Sequence, residues 1–380
     1  MNDDIKDIDT RTADDELIGE EIEAKAEVDE KVAEIVDVAD VAEIEETPVV
    51  VEEPVFDQSK EKSNFSRIGF GFVIFSGISM LVSLVIQIVV LVINEDFYKS
   101  HLFLNLLTPV SMYLFALPAL IGFFKSVKPE PPKKRSIGFG EWLLYLIVGF
   151  GLMYIGALIG NGVMAALSAL VGYDYSNALE TVIGGGNIWI TAIFVVIVAP
   201  IGEEFVFRKL LIDRTGKYGC FISALLSGLI FGLMHGNFYQ FFYAAALGFM
   251  LGYLYYNTGK LIYTISIHAV INFFGSVLTT LLSSGLEEID AAAITGEQMV
   301  DFLVEHGLQL LLVLLFNAFT YATMICAIIL PIVFRKRLTF SKGYVEIPRK
   351  KRFATAFLNA GMICMIIFYI VEIAMSLIPV

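Results

Sequence analysis

Apolar runs of about 20 residues recur along the chain, separated by short polar connections. That is the length a helix needs to cross the hydrocarbon core of a bilayer. Nine are readable: roughly Ile68 to Ile93, Leu102 to Phe124, Trp142 to Val171, Ile188 to Ile212, Phe221 to His235, Phe238 to Tyr256, Leu261 to Leu282, Leu308 to Phe334 and Phe353 to Leu377. The pattern predicts an all-α, polytopic membrane protein of about nine transmembrane helices. The count is eight if the short fifth run follows a re-entrant path.

Composition agrees, because 57% of the 380 residues are hydrophobic and 17% are charged, well outside the balance of a soluble domain. The net charge of -14 misleads. Residues 1–60 carry 22 acidic and 5 basic side chains, which leaves 18 acidic and 21 basic for the remainder. The acidic stretch holds one aromatic residue, Phe56, and too little apolar surface to offset the entropy of ordering. It predicts a disordered cytoplasmic tail over 1–62, followed by a multi-pass membrane domain over 63–380.

Cytoplasmic loops of membrane proteins are enriched in lysine and arginine. The segments KSVKPEPPKKRS, RKLLIDRTGK and RKRLTFSKGYVEIPRKKR are basic, whereas NEDFYKSH, GYDYSNALETVIGGGN and SSGLEEIDAAAITGEQ are acidic or polar. With nine spans these alternate without conflict, placing the N-terminus inside and the C-terminus on the opposite side. Lipid is an expected partner, and nucleic acid is not. Cys220, Cys326 and Cys364 lack the spacing of a metal site or a disulfide framework and read as packing residues.

Chemistry concentrates in the fourth, fifth and seventh runs. Glu203, Glu204 and Arg208 lie in an otherwise apolar stretch, where an ionised side chain is costly and usually faces a bundle interior or a wet cavity. Glu204 and Arg208 are i,i+4 neighbours able to pair. Glu203 points about a hundred degrees away, free to face a cavity. His268 and Asn272 share one helical face at the same spacing, and Phe231 sits one turn before His235. Pro200 removes a backbone hydrogen bond just ahead of the acidic pair, freeing carbonyls that polar groups or water must satisfy. Glu372, near the end of the last run, reads as an acid snorkelling to the interface.

In this order, EExxxR, FxxxH and HxxxN resemble the CAAX-protease and bacteriocin-processing (CPBP, or Abi) intramembrane proteases. The resemblance covers roughly Leu144 to Ser276. It implies an endopeptidase, a hydrolase acting within the membrane on a membrane-associated or prenylated, CAAX-type substrate. In that reading Glu203 activates water, His235 orients it and returns the proton, His268 and Asn272 stabilise the oxyanion, and Glu204 and Arg208 support the site. A metalloprotease using Zn2+ stays open, with Glu203, His235 and His268 as ligands, although HExxH is absent. The alternative is a non-catalytic membrane scaffold or bacteriocin-immunity protein that retains the protease fold. A proton-coupled transporter would predict repeated halves, and no such repetition is visible.

Overall fold

Each of the nine apolar runs is helical over most of its length in a computed structural model, which describes residues 56–173, 175, 187–284, 286 and 296–378. These fall in one unit, Phe56–Val380. The acidic stretch up to residue 55 and most of the connections 172–187 and 283–298 lie outside the described residues. The helices are α1 Gln58–Ile93, α2 His101–Phe124, α3 Phe139–Val171, α4 Ile188–Tyr218, α5 Cys220–Leu233, α6 Phe238–Thr258, α7 Leu261–Ser283, α8 Gly296–Val333 and α9 Ala360–Ser376. Among the described residues the only β-pairing is an isolated bridge between Gly219 and Lys342. The chain is an all-α polytopic membrane protein.

Not every helix is a full span by length and apolarity. Six qualify, namely α1 to α4, α7 and α8, and the helix Arg349–Ala356 joined to α9 at a 62° bend makes seven. The expected count of nine is thereby reduced among the described residues. Helix α5 has 14 residues, about 21 Å of rise. Helix α6 has 21, but its tyrosines, Gln240 and Asn257 dilute its apolar character. The two fold back on each other across the turn Met234–Asn237, with Gly228 set against the backbone of Phe249.

Helix α1 begins ten residues before its apolar run, because Asp57 caps it by accepting from the N–H groups of Ser59 and Lys60. Its polar first turns meet the other basic connections at one end of the bundle. Lys217 pairs with Glu61 at 3.1 Å, Arg67 donates to Ser126 O at 3.0 Å, and Arg135 N–H donates to Thr258 O at 2.8 Å. The loop before α9 joins them there, through Cys220 N–H to Ser341 O and Val345 N–H to Lys217 O, both 3.0 Å.

Two apolar clusters hold the bundle. One joins Phe65, Phe72 and Phe75 of α1 to Phe207 of α4, Phe231 of α5 and Met365 of α9. The other joins Phe150 of α3, Leu251 of α6, and Ile267 and Ile271 of α7. His268 and Asn272 alternate with those two isoleucines, so α7 brings its polar pair to the seam between clusters. Large apolar side chains cover the outer faces of α1 and α8, Leu81 and Leu308 among them, as lipid contact requires.

Helices α1 and α9 cross at glycines. Gly361 N–H donates to Ser66 Oγ at 2.9 Å, and a Cβ on Gly361 would overlap the Ser66 backbone. Gly361→Leu is therefore expected to cost about 1–3 kcal/mol through overpacking. It should appear as a lower unfolding midpoint in detergent, and an unchanged midpoint would show that the crossing tolerates separation.

Candidate active site

Helix α4 is not uniform. Two π-helical stretches, Ile193–Val198 and Phe205–Leu210, bracket the α-helical turn Ala199–Glu204 that carries both acids. Ala199 N–H bonds Phe194 O, five residues back. The next bond in that register would run from residue 200 to Val195 O, and residue 200 is a proline without an N–H. Asn272 Nδ2 takes its place, donating to Val195 O at 2.9 Å. The carbonyl that Pro200 was expected to free is thus satisfied by one of the predicted site residues. Helix α7 widens too, with a π-helical stretch Phe273–Leu278 directly after Asn272. Such turns are rare and frequent at functional sites.

Glu204 and Arg208 are fully buried and paired bidentately, with Nε to Oε2 at 2.8 Å and Nη2 to Oε1 at 3.0 Å. Arg208 Nη1 donates to Ser227 Oγ of α5 at 2.5 Å, and that hydroxyl donates to Phe207 O at 3.0 Å. The guanidinium also lies over the Phe231 ring, 5.3 Å from its centroid. Each guanidinium nitrogen donates one bond, where an unpaired charge would be costly. Glu204 Oε1 then accepts from His268 Nδ1 at 2.9 Å. A carboxylate held by arginine only accepts, so Nδ1 carries the hydrogen and Nε2 is the nitrogen turned toward Glu203.

Glu203 stands apart from the pair, as the helical geometry predicts. Its side chain is 22% exposed, whereas that of Glu204 is at 0%. Its Oε2 lies 3.7 Å from His268 Nε2. That is too long for a hydrogen bond, and an oxygen atom seated beside both can bond to each. Two phenols approach the site, Tyr113 of α2 beside Gly202 and Tyr243 of α6 with its ring 6.3 Å from that of His235, centroid to centroid. The Tyr113 ring rests on the backbone of Gly202, where a Cβ would overlap it, and Tyr113 Oη donates to Ala199 O at 3.4 Å.

His235 lies past the end of α5, in the turn toward α6, with its N–H bonded to Gly232 O at 3.2 Å. Its ring Nδ1 meets Phe231 O at 2.8 Å. A carbonyl only accepts, so Nδ1–H donates and Nε2 presents a lone pair. The edge of Phe231 reaches both imidazoles, with centroids 4.9 Å from His235 and 5.8 Å from His268. The structure therefore joins Glu204, Arg208 and His268 by hydrogen bonds, sets Glu203 3.7 Å from His268, ties Asn272 to the same helix, and places His235 one ring away. After His235 comes Gly236, with φ +65°, and Glu372 of α9 packs against it. Far from snorkelling, Glu372 has a buried Oε2 without a partner among the described residues.

The proposed zinc ligands do not meet the demands of that ion. Among the described residues no three side chains of His, Cys, Asp or Glu converge as a metal set. Each imidazole would offer Nε2, since Nδ1 is held by Glu204 in His268 and by Phe231 O in His235, but a zinc site needs its donors within about 2.0–2.2 Å of one point, and Glu203, His235 and His268 do not converge in that way.

Residues 185–274 match the family described as Rce1-like, type II CAAX prenyl endopeptidase. The match is to the CPBP family, which this segment resembles. No curated protein and no solved structure matches the chain. The CPBP segment runs from just ahead of α4 through Asn272, so it holds both acids, Arg208, both imidazoles and the carboxamide. Tyr113 and Glu372 come from outside it.

Sequence reasoning missed Tyr113, Tyr243 and Ser227. Tyrosines are frequent along α6, and nothing periodic marks Tyr243. Gly202 was the available signal for Tyr113, since a glycine before the acids admits a ring onto the backbone. Gly202→Ala is expected to push Tyr113 off the α4 turn and to lower turnover by up to about 10²-fold, as a displacement of about 1 Å near reacting groups can. Cleavage kinetics check this, and wild-type turnover would show that the ring has no part in holding Glu203.

Proposed function

We propose that the chain is an intramembrane endopeptidase that hydrolyses a peptide bond of a membrane-associated substrate, with Glu203 as the base. Prenylated, CAAX-type proteins are the substrate class that the family description suggests. The observation carrying this reading is the division of labour between two adjacent acids. Glu204 is spent on Arg208 and His268. Glu203 keeps its carboxylate for a small molecule at its side.

In this mechanism Glu203 takes a proton from water while His235 Nε2 accepts the other water hydrogen and orients the nucleophile. The oxygen attacks the peptide carbonyl carbon and the carbonyl pair moves onto its oxygen. Asn272 retains one N–H after serving Val195 O. His268 donates from Nε2 when doubly protonated, with the Glu204 carboxylate accepting from its Nδ1. Both bonds strengthen as the oxyanion develops. Collapse breaks the C–N bond, and the proton held by Glu203 passes to the departing amine.

The basic end of the bundle is assigned to the cytoplasm on the distribution of lysine and arginine. The experiment is cleavage of prenylated and unprenylated peptides by the purified protein and by Glu203→Gln. Cleavage that requires the prenyl group supports the CAAX-type substrate, and cleavage without it points to a broader peptidase. A protein inert toward both, whose cellular phenotype survives the substitution, is the scaffold of the alternative reading.

A further inference from the structure

Both imidazoles keep Nε2 as an acceptor when neutral, because each Nδ1–H is committed, to Glu204 in one case and to Phe231 O in the other. Asn272 has already given one of its two amide hydrogens to Val195 O. The oxyanion is left short of donors that need no extra proton. A group meeting that requirement stands beside the cluster.

Tyr243 projects from the first turns of α6. Its ring lies 6.3 Å from that of His235, centroid to centroid, at 69° between the planes. Gln240 Nε2 donates to Tyr243 Oη at 2.8 Å. The phenol is therefore an acceptor in that bond, and its own O–H remains to be given. Gln240 is in turn fixed by Asn237 Nδ2, which donates to Gln240 Oε1 at 2.9 Å and to His235 O at 2.7 Å. Asn237 also caps α6 by accepting from Gln240 N–H at 2.9 Å. A chain of side-chain amides thus leads from the backbone of His235 to the phenol oxygen and sets the direction of the remaining hydrogen. Gly156 of α3 packs against the backbone of Tyr243 and closes the far side.

We propose that Tyr243 is a catalytic residue whose hydroxyl donates a hydrogen bond to the peptide carbonyl oxygen as negative charge builds on it. The assignment rests on the endopeptidase reading. It moves no proton: the hydrogen stays on the phenol through attack and collapse, and the proton balance runs entirely through Glu203. Gln240 is a positioning residue, since it acts through Tyr243.

The test compares wild type, Tyr243→Phe, Gln240→Ala and Glu203→Gln on one fluorogenic lipidated peptide, with the unfolding midpoint measured for each. Tyr243→Phe keeps the ring against His235 and removes only the donor. A fall in kcat of about 10²–10³-fold, with KM within about twofold and an unchanged midpoint, supports the proposal. A smaller fall for Gln240→Ala, also in kcat, supports it as well. Glu203-dependent cleavage at the wild-type rate by Tyr243→Phe overturns the proposal and leaves the endopeptidase standing. A loss of kcat matched by a lowered midpoint assigns Tyr243 to packing and overturns it too. Where the Phe variant does not fold, 3-fluorotyrosine at position 243 retains ring and donor, and a rate below a tenth of wild type overturns it. Cleavage that Glu203→Gln leaves intact removes the endopeptidase mechanism and this assignment together.

Discussion

Glu203→Gln lowers turnover by about 10²–10⁴-fold, the usual contribution of a positioned general base, and leaves the fold intact. The amide has nearly the shape of the acid but cannot take the proton of an attacking water. Stability is spared because the buried arginine is held by Glu204, and Glu203 makes no hydrogen bond among the described residues. The measurement is single-turnover cleavage in detergent or proteoliposomes beside an unfolding curve. Cleavage within tenfold of wild type would take the base assignment away from Glu203. A collapsed midpoint would mean that both acids are structural, which the exposure of Glu203 argues against.

Arg208→Met acts on the other acid and has the opposite signature. It deletes both bonds to Glu204 and the bond to Ser227, leaving a carboxylate with no exposed surface and no cation. Breaking a buried pair in this way costs about 3–5 kcal/mol, a large fraction of the stability of most domains. Little folded protein is expected, with a sharply lower midpoint. Glu204→Gln with Arg208→Met removes the orphaned charge and should recover much of that loss, since apolar or neutral replacement of a whole pair is often tolerated. The double variant remains inactive, because His268 Nδ1 has lost the carboxylate that fixes its ring. The cycle separates the two roles of Glu204. A single Arg208→Met variant as stable as wild type would show that Glu204 is neutral in the folded state.

Much of this site was legible in the residue order, and its parts show which kind of relation is readable. Glu204 and Arg208 pair because four residues make one helical turn, and the same geometry turns Glu203 aside. Pro200 announced a carbonyl in need of a donor before any partner was known. The position of His235 was less well read. Its apolar run suggested a buried helical residue, but α5 stops at Leu233 and the ring hangs in the turn beyond. Helix ends are set by the residues just past them, here Gly236 with its positive φ and the Asn237 cap of α6. Glu372 was misread for another reason. Position along a helix does not tell whether lipid, solvent or another turn faces it.

The residue order by itself determined the helical class, the apolar runs, the basic character of the connections gathered at one end, and every pairing within a turn, since these depend on separations of a few residues along one helix. Only the tertiary structure decided that Asn272 serves Val195, 77 positions away, that Tyr113 rests on Gly202 and Tyr243 beside His235, and that two of the nine runs form a short hairpin rather than qualifying as full spans. Those contacts join chain segments with no local geometric relation. Their selection rests on which apolar faces and glycine surfaces fit closest once the helices pack.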